Sequence, residues 1–470
     1  MKSVFRLLAP LAISALLAAS CGKQELIPGE GGGIPDSETA PEGPGAGEGE
    51  GGNEEDEKPS GPVIPPDLES LAKVYIDTPG KVDITSKTRW VELCTIRIEG
   101  DGEEVLYQDD SLMIRGRGNS TWSRPKKPYY FKLDHKADFL GTGKSHRWVL
   151  LANWMDRTLL RNDVAFEAAR RTSLDWTPSG EFVELYLNGQ HKGNYWLGEK
   201  IRNEGSKFEA DFLYTMDTSD GTSVTAYGTD GPDFFTSYGR MVNSNRNGMP
   251  IEIKAPEFDD FDSEADFLSL SLNPLKSQLS VIETAIYQGG NWQELLDVDS
   301  FCDWYLVHEL CYNMEPNHPK SCFAHIRDGK LYAGPVWDFD WLTFTPANVD
   351  NTRWNRSRLD MSGCWYFGSV NGRSGLWGKS EFKARLKERW AALKPGFETL
   401  PEYIDRRADR IRSSEAVNHE MWPCYPNSMS EDGTRMVNHD EQLSFQDAVN
   451  RMKSALTARI QAMDSAISAL

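Results

Sequence analysis

The sequence predicts an α+β body of two lobes, strand-rich first and helix-rich later. Alternating apolar segments crowd the part before residue 200, helical periodicities fill the part after 260, and an Asn-Gly turn joins two of the strands. In order, Val74-Tyr75-Ile76-Asp77, Trp90 to Ile98, Leu112-Met113-Ile114-Arg115 and Tyr129 to Leu133 alternate as half-buried strands do. Arg157 to Arg171 reads as a helix. Phe182 to Leu187 is again a strand, turns at Asn188-Gly189, and returns through Gly193 to Leu197 as a hairpin. Helices are expected at roughly 264–287, 298–313, 380–395, 402–414 and 441–468, with a short hairpin before Asp338. Segment 215–260, rich in Gly, Ser, Thr and Asn, shows no periodicity and reads as a loop. Residues 67–470 are long enough for a large core, the first lobe at about 72–205 and the second at about 206–470.

The chain opens with a basic Met1-Lys2-Ser3-Val4-Phe5-Arg6, an apolar run from Leu7 to Ala19, and small residues leading to Cys21. Residues 1–20 therefore read as a signal peptide, too short for a membrane span. The cysteine after small residues resembles a bacterial lipoprotein signal, with Cys21 as the lipidated terminus. Residues 21–66 then form a Gly/Pro/Glu-rich linker with too little apolar surface to offset ordering entropy. It carries eleven acids against Lys23 and Lys58, nearly half of the net charge of −20. Such an acidic balance argues against nucleic acid as a partner and leaves the lipid as the contact with a membrane. Cys94, Cys302, Cys311, Cys322, Cys364 and Cys424 are spaced irregularly, with no CxxC and no Cys/His cluster of zinc type.

Gly334-Pro335-Val336-Trp337-Asp338-Phe339-Asp340 ends an apolar run in two carboxylates. On a strand, Asp338 and Asp340 share one face while Trp337 and Phe339 enter the core. Two carboxylates about 6–7 Å apart repel by roughly 2–3 kcal/mol at an effective dielectric near 20. A hard cation between them, Mg²⁺ or Mn²⁺ completed by phosphate and water, removes that penalty. Acids that are solvated, or paired with Arg or Lys at a strand end, are the structural alternative.

Further segments recur in a recognisable order: Arg115-Gly116-Arg117-Gly118-Asn119-Ser120-Thr121-Trp122, Pro125-Lys126-Lys127-Pro128-Tyr129, and Leu150-Leu151-Ala152-Asn153 with Asp156. Leu160-Arg161-Asn162, Val183 to Gly189, Tyr195 to Ile201 and the Asp-x-Asp segment complete the set. Together they resemble the CotH (spore-coat protein H) family of kinase-like proteins over most of residues 110–345, with Phe382 to Trp390 fitting its C-terminal part. The lipoprotein architecture is similar to that of members in Bacteroidetes-type bacteria. The resemblance implies a two-lobed, atypical protein-kinase-like fold and ATP with Mg²⁺ or Mn²⁺. It also implies phosphoryl transfer to Ser or Thr of a protein substrate, from a lipid-anchored position at the outer membrane or periplasmic face of the cell envelope.

Phosphoryl transfer needs cations around phosphate, a metal and a carboxylate that accepts the hydroxyl proton. The resemblance makes Arg117, Lys127 and Lys132 the nucleotide-binding cations, with Glu199 as ion-pair partner for a lysine, and Asp338 and Asp340 the metal ligands. Gly116 and Gly118 fit either a turn or a close approach to phosphate. Asp156 and Arg161-Asn162 are assigned to structure, and His308 to a satisfied position in a helical interface. The family pattern places Asn-x-Asp before the metal pair; here it reads Asn313-Met314-Glu315, so Glu315 is the catalytic candidate, one methylene displaced. Ser321 is a further polar candidate beside the metal, and Trp341-Leu342-Thr343-Phe344 replaces a small segment. A non-catalytic surface lipoprotein binding a protein or glycan is the competing reading, favoured by Trp337, Trp341, Trp354, Trp365, Tyr366 and Trp377 near the same site.

Overall fold

A computed structural model describes residues 62–118, 120–203, 208–216, 234–241, 246–313, 315–317, 321–346, 365–423, 438, 440 and 442–470, with backbone alone at 234–241 and 246–250. The signal segment, Cys21, Cys364, Cys424 and Trp354 lie outside these residues. Seven strands come first: β1 (Ala72–Asp77), β2 (Val91–Glu99), β3 (Val105–Gly116), β4 (Tyr129–Ala137), β5 (Ser145–Leu151), β6 (Gly180–Leu187) and β7 (Gln190–Glu199). They close into a barrel in the order β1-β2-β3-β4-β5-β7-β6, sealed by parallel pairing of β1 with β6. The strand-rich part is thus a closed barrel, where the sequence implied the sheet lobe of a kinase-like fold.

Alternation explains the barrel. Ile76, Ile96, Ile114, Phe131, Trp148, Leu185 and Leu197 fill its interior. Tyr130, Val149, Leu151, Phe182 and Trp196, one residue out of step, cover its outside and join the helical core. β5 was not expected as a strand, because Trp148-Val149-Leu150-Leu151 is buried on both faces and shows no period of two. The Asn188-Gly189 turn holds φ of 55° and 78°, the left-handed pair a two-residue hairpin requires. Val63 and Ile64, within the stretch read as linker, donate backbone hydrogen bonds to Asp138 and Phe139 at 3.0 Å.

A five-stranded sheet follows in the order β12-β11-β8-β10-β9, from β8 (Phe212–Met216), β9 (Phe234–Met241), β10 (Arg246–Ala255), β11 (Cys322–Arg327) and β12 (Lys330–Ala333). The described residues of the stretch expected as a loop at 215–260 are therefore mostly sheet. β8 is buried at every position, so no alternation marks it. The expected hairpin before Asp338 is β11–β12.

The helices are α1 (Arg161–Arg170), α2 (Glu264–Phe267), α3 (Asn273–Gln288), α4 (Trp292–Leu295), α5 (Val298–Cys311), α6 (Ser380–Glu398), α7 (Leu400–Met421) and α8 (Phe445–Ser468); α3, α4 and α5 pack on this sheet, and α7 packs on β7 of the barrel. A π turn at Leu268–Leu272 joins α2 to α3. α5 is buried from Ser300 through Cys311, which makes it the central helix. Residues 59–470 form one compact unit, with a core that runs from the outside of the barrel to α8. Cys94, Cys302, Cys311 and Cys322 are buried. No helix among the described residues is long and apolar enough to cross a membrane.

Candidate functional site

The segment after β12 is irregular rather than a strand, and Asp338 sits at φ 69° in the left-handed region. The two acids nevertheless face each other, for a reason the strand argument did not contain. Trp337 stacks on Phe166 of α1 at 5.5 Å, and Phe339 packs edge-on to the same ring at 6.2 Å. The Phe339 amide donates to Asn162 Oδ1 at 2.7 Å, and Asn162 Nδ2 donates to Asn153 Oδ1 at 3.0 Å. The Asp340 carbonyl accepts from Asn438 Nδ2 at 2.8 Å. Two anchored rings and three amide side chains fix the backbone that carries both carboxylates, which meet in a hydrogen bond.

Asp338 is half-buried, and its Oδ2 accepts from Ser321 Oγ at 3.2 Å. Asp340 is buried. Burial first, then the charge of Asp338 and that of Asp156, push its carboxyl well above the usual range, and it shares a hydrogen bond with Asp338. Arg117 opposes this rise. Its guanidinium lies 5.4 Å from the Trp337 ring centre; burial lowers its pKa while Asp338 and Asp340 raise it. Arg117 comes from just beyond β3, so the barrel supplies the cation and the helical part supplies the acids.

Glu315, buried at the start of a 3₁₀ turn, is tied to the pair through one residue. Asn313 Oδ1 accepts the Glu315 amide at 3.0 Å, while Asn313 Nδ2 donates to the Asp338 carbonyl at 3.2 Å. Lys127 is turned to its own loop, donating to the Trp122 carbonyl at 2.7 Å. Its neighbour Lys126 is buried and bonds the carbonyls of Ala152, at 2.8 Å, and Asn194, so this pair fastens the loop to the barrel. Lys132 lies on the outer face of β4, over the Trp90 ring at 4.9 Å. Glu199 is buried and accepts from Thr142 Oγ1 at 3.0 Å and the Ser179 amide at 3.1 Å.

The residues assigned to structure hold the acid segment in place. Asp156 caps α1, accepting the Arg161 amide at 2.7 Å. Arg161 pairs with Asp156 and with Asp440 at 2.5 Å, and donates to the Thr343 carbonyl at 3.0 Å. Leu342 and Phe344 take φ of 59° and 49° where the family pattern expects small residues. The Leu342 amide bonds Asn438 Oδ1 at 2.7 Å and the Phe344 amide bonds the Cys311 carbonyl at 2.8 Å, which fixes that backbone despite the bulk. Asn438 and Asp440 went unread, because they stand alone among residues with no periodic pattern.

His308 departs from expectation. It is fully buried between Trp304, at 3.9 Å between ring centres, and Phe339, at 5.0 Å. Neither of its nitrogens has a hydrogen-bond partner among the described residues. Trp337, Trp365 and Tyr366 are core residues as well, so they present no sugar-stacking face.

No group of three or more His, Cys, Asp or Glu with metal-binding geometry occurs among the described residues. Two carboxylates set against each other, one of them buried, fit a hard divalent cation that would take its other ligands from phosphate and water. A barrel packed on helices, with a buried acid pair set against an arginine at their junction, defines an α+β protein of mixed acid–cation site. The family model described as CotH kinase protein matches residues 114–463, and the chain belongs to this family. No curated protein matches it.

Proposed function

We propose that this chain is a metal-dependent phosphotransferase that moves a phosphoryl group from ATP to a Ser or Thr hydroxyl of an envelope or secreted protein. In this reading the barrel acts as the nucleotide lobe of a two-lobed kinase-like design, and the lipidated Cys21 holds the enzyme at the cell envelope. The observation that carries it is the meeting of Asp338, Asp340 and Arg117 at the junction of barrel and helices. Family membership is the second support.

Asp338 and Asp340 would hold Mg²⁺ or Mn²⁺, and Ser321 orients Asp338. A divalent cation held by these two carboxylates would supply neutralisation of the charge on the transferred phosphate. Arg117 supplies a planar, permanently charged donor set for a phosphoryl oxygen. Glu315 receives the acceptor hydroxyl proton, and Asn313 sets its distance from the metal pair. Its extra methylene relative to the family pattern shifts that carboxylate by about 1 Å, and a displacement of this size costs about 100-fold in rate.

Calorimetry of the full chain with ATP, with and without Mn²⁺, tests the reading. Saturable binding that needs Mn²⁺ and disappears in Asp338→Ala is expected. Absence of binding at millimolar ATP, together with Mn²⁺ binding indifferent to Asp338→Ala, would move the chain to a non-catalytic binding scaffold.

A further inference from the structure

The cations do not stop at Arg117. Arg115, two residues earlier on β3, lies on the same outer face, its guanidinium 4.6 Å from the Trp90 ring and 5.3 Å from Tyr130. Lys132 pairs with Met113 across the ladder and stands directly opposite Arg147 of β5. Lys200, just past β7, lies 4.4 Å from the Tyr130 ring, and its amide meets the Arg147 carbonyl. Arg202 and Lys254 stand next to it. Arg202 is paired with Glu257 and Lys254 with Glu252. Lys132 and Lys200 have rings beneath them and no carboxylate bonded to them among the described residues.

Like charges directly opposite on a ladder destabilise a sheet. Here the Lys132–Arg147 pair is followed by a third cation; burial first, then Arg202, Lys254 and Arg147, hold the Lys200 amine well below its ordinary pKa, while Glu257, whose charge reaches Lys132 as well, opposes them. Such a face is relieved by a ligand with dense negative charge. From Arg117 to the ladder position of Lys132 is four residues, about 13 Å, so the cations form a strip that starts at the acid pair. The Trp90 and Tyr130 rings, otherwise suited to stacking a nucleobase, already carry Arg115, Lys132 and Lys200.

We propose that this strip, from Arg117 through Arg115 and Lys132 to Lys200, binds a linear condensed phosphate chain whose terminal phosphoryl lies at Asp338 and Asp340. The inference rests on the metal-dependent phosphotransferase reading and puts a condensed phosphate in the place of ATP as its donor. In the transfer, the bond between the terminal phosphorus and its bridging oxygen breaks and a bond to the acceptor hydroxyl oxygen forms. The hydroxyl proton passes to Glu315, and the chain leaves one phosphate shorter.

The test compares Mn²⁺-dependent binding of tripolyphosphate, a polyphosphate of defined longer chain, ATP and poly-glutamate to the full-length protein. The longer chain is expected to bind about tenfold tighter than tripolyphosphate, through the additional charge-assisted contacts. That advantage is expected to vanish in Lys132→Gln/Lys200→Gln, with a shallower salt dependence. ATP binding tighter than tripolyphosphate, or an equal affinity for poly-glutamate, overturns the proposal. Tripolyphosphate binding indifferent to Asp338→Ala overturns the phosphotransferase reading itself, whatever the strip does.

Discussion

Asn162 is the residue through which the acid pair is most directly exposed to perturbation. Its Oδ1 accepts the amide of Phe339, the residue between the two acids, at 2.7 Å, and its Nδ2 supplies Asn153 Oδ1 at 3.0 Å. All three groups are buried. Asn162→Ala removes both bonds and leaves a buried N–H and a buried carbonyl oxygen without these partners. Each such orphan costs about 1–3 kcal/mol, so a loss of about 2–4 kcal/mol is expected once partial relaxation is allowed for. The Phe339 backbone then drifts, and with it the mutual placement of Asp338 and Asp340. Urea denaturation of the wild type and the variant measures the first effect, and Mn²⁺ titration calorimetry the second. A variant with unchanged denaturation midpoint and unchanged Mn²⁺ affinity would refute the claim that Asn162 sets the site.

Two further outcomes follow from buried groups. Arg161→Met leaves Asp156 and Asp440 as uncompensated buried carboxylates, and a destabilisation of about 3–5 kcal/mol is expected in the same denaturation assay. His308 has its pKa lowered from 6.5 to about 3 by burial. A depressed imidazole contributes stability that is complete above the unfolded value and drains away as pH falls towards the folded one. Between pH 7 and 4.5 this amounts to about 3 kcal/mol, and His308→Phe should lose less stability than the wild type over that interval. Parallel pH profiles for the two proteins would remove His308 as the cause.

The legible parts of this fold are those where one face is wet. β1, β3 and β6 alternate, and α3 and α8 carry helical stripes, because each meets solvent or a neighbour on one side only. β5 and β8 were invisible for the opposite reason, being buried on both faces. The acid pair was legible as a pair, although the period-two argument behind it fails in a segment where Asp338 is left-handed. What brings the acids together is long-range: Asn162 and Phe166 come from α1 and Asn438 from the stretch before α8, and no local pattern around the acids announces them. The basic side chains of Lys127 and Lys132 were equally visible as types. Only the folded neighbourhood separates the lysine that ties down its own loop from the one that faces outward among arginines.

The way the barrel closes has a mechanical consequence. β1 is hydrogen-bonded along both of its edges, antiparallel to β2 and parallel to β6. A pull on β1 directed along its own axis loads both ladders in shear, so their bonds resist together rather than peel one by one. The first strand of the barrel is thus built as a tension-bearing joint, spreading a load along its axis over two ladders at once.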